Sequence, residues 1–158
     1  MHRIVRLSLT TVFLFASHAV YSEETNNSNQ FVEDPSASDP RQLVSMPDQS
    51  RELMRKDMLE HLTALNEIIG YLADNDFDAA AEVAETRMGK SSMGKHRGTG
   101  MGPGRFMTPE MKSLGMGMHD AASRFSQVAK QGDMKSAYSA LQQVTGSCVA
   151  CHYSYRTR

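Results

Sequence analysis

The sequence predicts an all-α fold, an antiparallel four-helix bundle. Three observations carry that expectation. Apolar residues recur at three- and four-residue spacing over four separate stretches. Helix start and stop signals bracket those stretches. No stretch alternates apolar and polar residues as a half-buried strand does. All connections but one are short, which suits neighbouring helices that reverse direction. A chain of 158 residues has room for one such domain.

Residues 1–22 stand apart from it. Met1 to Arg6 is basic, Leu7 to Ala16 is apolar, and the small residues Ala16, Ser17, Ala19 and Ser22 follow. This is the pattern of a secretory signal peptide cleaved near Ala19 to Ser22, and it is short for a membrane span. An uncleaved anchor is the alternative. No second apolar run is long enough to span a bilayer, so the mature chain is expected to be periplasmic. Cleavage removes Arg3 and Arg6 but no acid, taking the formal charge from −1 to −3. A mildly acidic domain argues against nucleic acid, whose partners carry a basic footprint. Residues 23–47 are polar, acidic and broken by Pro35, Pro40 and Pro47. Such a stretch buries too little apolar surface to offset its ordering entropy and reads as a disordered lead-in.

The bundle is expected over residues 48–158. The first helix starts after Pro47 with Asp48 or Ser50 as N-cap. Leu53, Met54, Met58, Leu62, Leu65, Ile68, Ile69 and Leu72 form one broad apolar face, and the turn cluster Asp74-Asn75-Asp76 ends it. The second helix runs from about Phe77 to Met88 through Ala79, Ala80, Val83 and Ala84, with Gly89 as C-cap. Residues 89–109 form a loop in which glycines alternate with Met93, Met101 and Met107 and with Lys90, Lys95, His96, Arg97 and Arg105. Thr108-Pro109-Glu110 opens the third helix, which continues through Met111, Leu114, Met118, Ala121, Ala122, Phe125 and Val128 to Gly132. Gly115 and Gly117 weaken its first half, so regular helix is expected from about Met116. Asp133 caps the fourth helix, which carries Met134, Ala137, Tyr138, Leu141 and Val144 toward the chain's most informative residues.

Those are Cys148-Val149-Ala150-Cys151-His152, holding both cysteines of the chain. In an exported protein a cysteine pair is first a disulfide candidate. A thioredoxin-like pair is a second reading, but it belongs beside a βαβ pattern that is missing here. C-x-x-C-H is the attachment signature of a c-type haem. Two thiols one helical turn apart each add to a vinyl group, and His152 stands where its imidazole reaches the iron. Attachment of c-type haem outside the cytoplasm agrees with export.

With this motif at the end of a fourth helix, the chain resembles the cytochrome c′ group, the class II cytochromes c. The matching residues are Cys148, Cys151 and His152, the following Tyr155-Arg156, Gly132-Asp133 at the start of the fourth helix, and Pro109 after a glycine-rich loop. The resemblance spans roughly Pro47 to Arg158 and implies one covalent haem c inside the bundle, flanked by the first and fourth helices. It also implies a choice on the far side of the iron. High-spin members place a non-ligating apolar side chain there, leaving iron open to small gases. Low-spin members place a methionine there, which raises the potential and suits electron transfer.

The first helix offers Met58 and Met54, one turn apart. His152 lies nineteen positions beyond Asp133, about 28 Å along a helix. A partner at a comparable height before Asp74 favours Met58, with Met54 the alternative distal ligand. Methionine on an apolar helix face is also an ordinary gap-filler, and this chain has 12 of them. Met118 is expected to pack on the haem. Arg156 is expected to shield the proximal face or meet a propionate, and Arg55 or Arg51 to meet one from the first helix. His61 and His119 read as helix-surface residues, or as residues that support a ligand, more than as ligands themselves. Thioether and imidazole ligands suit copper, so Met93, His96, Met101 and Met107 raise a metal-handling alternative.

The expected function is single-electron transfer between periplasmic redox partner proteins, with no enzyme activity. Gas binding or sensing at a high-spin haem, and copper handling by the loop, are the alternatives. A homodimer is compatible with the group.

Overall fold

The computed structural model describes residues 39–158. The expected signal peptide and residues 23–38 of the lead-in lie outside the described residues. Helix α1 spans Asp48–Ala73, α2 Phe77–Val83, α3 Pro109–Ala129 and α4 Met134–Ser154. A π-helical turn, Ala84–Met88, continues α2. A two-residue strand β1, Gln42–Leu43, pairs in parallel with β2, Tyr155–Arg156.

The helix termini have local causes. Helix α1 begins directly after Pro47 with no side-chain cap. The two expected caps do other work: Asp48 pairs with Arg51 at 2.7 Å. Ser50 is buried and directs Oγ toward the Met101 sulfur at 3.8 Å. The helix ends in a turn where Asn75 takes φ 58° and Asp76 N–H donates to the Tyr71 carbonyl at 2.8 Å. Asparagine tolerates this left-handed position better than most residues. Asp76 then caps α2 by accepting from Ala79 N–H, and Thr108 caps α3 by accepting from Met111 N–H, with Pro109 at the first helical position. Gly132, at φ 73°, turns the chain into α4, where Asp133 accepts from Ser136 N–H.

One expectation needs correction. Helix α3 is regular from Pro109 despite Gly115 and Gly117, because its cap and proline fix the first turn. Gly89 is the C-cap of the second helix as expected, in extended backbone. Glycine is required there for closeness: a Cβ would lie 2.8 Å from the Glu85 carbonyl oxygen.

The core draws on all four helices. Ala64, Ile68 and Leu72 of α1 meet Ala80, Ala81, Ala84 and Met88, then Met118, Ala122, Phe125 and Ala129 of α3, and Ala137, Leu141 and Val144 of α4. Alanines in the second helix let its neighbours approach closely. Helices α3 and α4 pack along each other most extensively, whereas α1 and α4 barely approach one another.

A second cluster forms where the described chain begins and ends. Val44, Met46, Met54 and Met111 are buried together, with Phe106, Met107, Cys151 and Tyr155 against them. Residues 39–47, expected as part of a disordered lead-in, are therefore packed on the domain. Val44 N–H donates to the Arg156 carbonyl at 2.8 Å, and the Asp39 carboxylate lies 3.6 Å from the Arg156 guanidinium. Burial of Val44 and Met46 offsets the ordering of this short strap. Among the described residues no helix is long and apolar enough to cross a membrane.

Candidate haem-binding site

Helix α4 places Cys148 and Cys151 one turn apart, both half-buried and both free thiols. Cys148 packs against the four-helix core and Cys151 against the second cluster. Burial pushes both thiols above their ordinary range, and the neighbouring Cys148 adds to the shift at Cys151. A redox-active or strongly nucleophilic pair would show the opposite shift. His152 is exposed on the last turn.

Beside these residues lies a cavity of about 780 Å³, walled by α1, α3 and the loop between α2 and α3. Neither cysteine nor His152 is among its lining residues. The link is made by methionines. Met54 and Met107 belong both to the Cys151 cluster and to the cavity wall. Met118 belongs both to the core that holds Cys148 and to the same wall. Met58 also lines the cavity, but 38% of it is exposed against 8% of Met54. A Cβ on Gly115, another wall residue, would meet nothing within 4 Å.

Two histidines stand in the same wall. His61 and His119 meet edge to face with ring centroids 5.9 Å apart. His119 Nδ1 lies 2.7 Å from the Met88 carbonyl, so Nδ1 carries the proton and donates. Burial, then the neighbouring His119 and Lys95, depress His61 from 6.5 to about 4. The His61 imidazole is therefore uncharged at neutral pH.

The loop is latched to α1. Asp57 holds Lys95 Nζ at 2.8 Å and His96 Nε2 at 2.9 Å, and Met101 meets Ser50. Of the loop residues considered for copper, His96 thus has its Nε2 occupied by Asp57. Met107 packs in the Cys151 cluster, and Met93 lines the cavity. Arg55 pairs with Glu52 at 3.4 Å outside the cavity. Arg156 is engaged with Asp39 and with the Arg41 carbonyl.

The structure adds residues that sequence reasoning passed over: Asp57, Lys112 and Gly115 as parts of the wall. It also shows Arg97 and Arg105 as wall residues rather than loop charges in general. One signal pointed to the loop: residues 89–109 contain five basic or histidine side chains and no acid.

A family model described as Cytochrome C' matches residues 49–156. The chain belongs to the cytochrome c′ family. No curated protein and no solved structure matches it. Membership of the cytochrome c′ family implies a c-type haem, and the residues fit one. The chain supplies two free thiols at attachment spacing and an exposed imidazole on the next residue. An apolar chamber whose size lies within the range of about 300–1,000 Å³ usual for ligand sites adjoins them.

Proposed function

We propose that the protein is a periplasmic electron carrier with one covalent haem c. Cys148 and Cys151 would hold the haem through thioethers, His152 would be the proximal ligand, and Met54 the distal one. The antiparallel arrangement this implies agrees with the tight turns at residues 74–76 and 130–133. When bound, the haem supplies a one-electron couple at iron, and a thioether ligand raises its potential. The chain's own residues fix the attachment point, exclude water through the methionine wall, and keep His61 beside the chamber neutral.

One observation carries this reading. Met54 is buried in the same cluster as Cys151 and also faces the cavity, so one side chain connects the attachment helix to the chamber. That packing supports Met54 over Met58, reversing the preference drawn from helix register. Of the residues raised for copper handling, His96 is held by Asp57, Met101 by Ser50 and Met107 by the Cys151 cluster, an arrangement that favours a packed loop.

The test is expression in a host competent for c-type haem maturation. Denatured wild-type protein should retain one haem. Cys148→Ser and Cys151→Ser together should abolish retention, and haem lost from the wild type on denaturation would refute covalent attachment. Gas binding at a high-spin haem is the second reading, favoured by the size of the chamber beside Met54. A ferric spectrum that is high-spin throughout would establish it in place of methionine ligation.

A further inference from the structure

We propose that Arg97, Arg105 and Lys112 form the rim that receives the haem's two propionate carboxylates. The inference rests on the haem reading above. It adds a binding site for the anionic end of the cofactor on the loop between α2 and α3, away from the helix arginines to which the sequence pointed.

Lys95, Arg97 and Arg105 of the loop and Lys112 of α3 all line the cavity and are exposed at its edge. One carboxylate lines it, that of Asp57, and Lys95 and His96 already occupy it. Arg97, Arg105 and Lys112 make no ion pair among the described residues. Three unneutralised cations thus surround the opening of an apolar chamber, in a chain whose formal charge is −1. Like charges around one opening repel, and an anion there relieves the repulsion. Guanidinium groups also match carboxylates in geometry, offering two parallel N–H donors.

The loop's backbone supports the placement. Gly94 and Gly98 adopt φ of 83° and 85°, where side-chain-bearing residues are strained. A Cβ on Gly94 would lie 3.3 Å from Arg97 Nη2, so the guanidinium rests over this glycine. At Gly102 a Cβ would lie 3.3 Å from the Cβ of His96, bringing the second half of the loop against the Asp57 latch. Arg97 and Arg105 are therefore carried on a loop secured to α1, not on a free chain.

The helix arginines to which the sequence pointed, and Arg156, lie outside the cavity wall. Arg55 is paired with Glu52, and Arg156 with Asp39. Arg51 donates from Nη1 to Asp48 and from Nη2 to the Met46 carbonyl, and its buried, unpartnered Nε is not in the cavity wall. A haem brings two carboxylates on one edge of an otherwise apolar plate. The three free rim cations are the groups in this wall chemically suited to them.

The test uses holoprotein. Arg97→Gln, Arg105→Gln, Lys112→Gln, the triple variant and Arg105→Lys are compared with wild type for haem content and for midpoint potential against pH. Loss of a cation beside a propionate disfavours the carboxylate, so the inflection in potential should move to higher pH. It also removes positive charge near the iron, so the potential should fall, most in the triple variant, and Arg105→Lys should preserve it. Asp57 and His61 from α1, His96 from the loop and His119 from α3 also face this space. Glutamine at His61 or His119 should leave the inflection in place, while Asp57 and His96, which secure the loop, are kept intact.

An unchanged potential and inflection in a triple variant with full haem content would overturn the proposal. That result together with altered salt dependence of electron exchange would assign the cations to docking of an acidic partner instead. If the triple variant fails to mature, the single variants decide by the same criteria. A wild type without covalent haem would sink the functional reading and this proposal together, whereas normal haem with an unmoved potential sinks the proposal alone.

Discussion

Replacing Met54 should separate packing from ligation. Met54 is 8% exposed, in contact with the layer that holds Cys151, whereas Met58 is 38% exposed. Truncating a buried methionine to alanine costs about 2–5 kcal/mol. Met54 borders a large cavity into which water and neighbours relax, so the lower part of that range applies, about 2–3 kcal/mol. Met58→Ala removes fewer buried contacts and should cost about 1 kcal/mol or less. These are packing effects, and they hold whether or not either sulfur reaches iron. Met54→Leu conserves volume and should cost less than about 1.5 kcal/mol in packing, yet it removes the thioether. If Met54 ligates, the leucine variant loses the weak far-red ferric band of methionine–iron coordination, and its potential drops. Met58→Leu should keep both.

The assay is urea unfolding of ferric holoprotein alongside the ferric absorption spectrum and a redox titration. Loss of the far-red band in Met58→Leu with retention in Met54→Leu would refute the assignment, and would show that burial beside Cys151 is not what selects the ligand. Retention of the band in both would remove either methionine from the iron.

Three further predictions follow from separate parts of the molecule. His61 is held at about 4, below its ordinary 6.5, so the unfolded chain binds its proton first as pH falls. Its contribution is full above pH 6.5 and lost progressively toward pH 4, on the order of 2 kcal/mol after allowing for its exposed edge. Urea unfolding at successive pH values should show this slope in wild type and a shallower one in His61→Phe. Gly89→Ala places a Cβ 2.8 Å from a backbone oxygen of Glu85. It should cost about 1–3 kcal/mol and lower the thermal midpoint; an unchanged midpoint would show that the turn yields freely. Val44→Asp puts a charge into a buried position at the strap and should release it. Trypsin should then cut after Arg41 faster than in wild type, and equal rates would mean that Val44 does not hold the strap.

The helices were legible because each is written in local terms. Asp76, Thr108-Pro109 and Gly132-Asp133 carry their capping chemistry within a few positions, and the apolar spacing of Ile68, Leu72, Phe125 and Leu141 fixes which faces meet. The strap was not legible. Its ladder joins Gln42 to Tyr155 and Leu43 to Arg156, a pairing between segments more than a hundred positions apart. Two residues of strand leave no periodic trace, and Val44 and Met46 look like isolated apolar residues until Met54, Met111 and Cys151 are placed beside them. The same distance effect governs the two methionines. Counting along straight helices gives the height of a side chain on α1 but not its depth, which the strap and the loop set by covering Met54 and leaving Met58 half open.

The loop's composition also acquires a physical reason from the fold. Helix α1 is 26 residues long, whereas α2 has 7 and its π turn 5. At 1.5 Å per residue this leaves roughly 20 Å of α1 with no second helix beside it. A longer α2 along that length would fill the bundle with side chains. Gly94, Gly98, Gly100 and Gly102 form a thin wall instead, in which Met93 and Met107 supply apolar cover and Arg97 and Arg105 bring charge to the rim. The shortness of α2 and the richness of the loop in glycine, methionine and arginine are thus two sides of one arrangement. The chain gives up half a helix, and the space released is the chamber next to the cysteines.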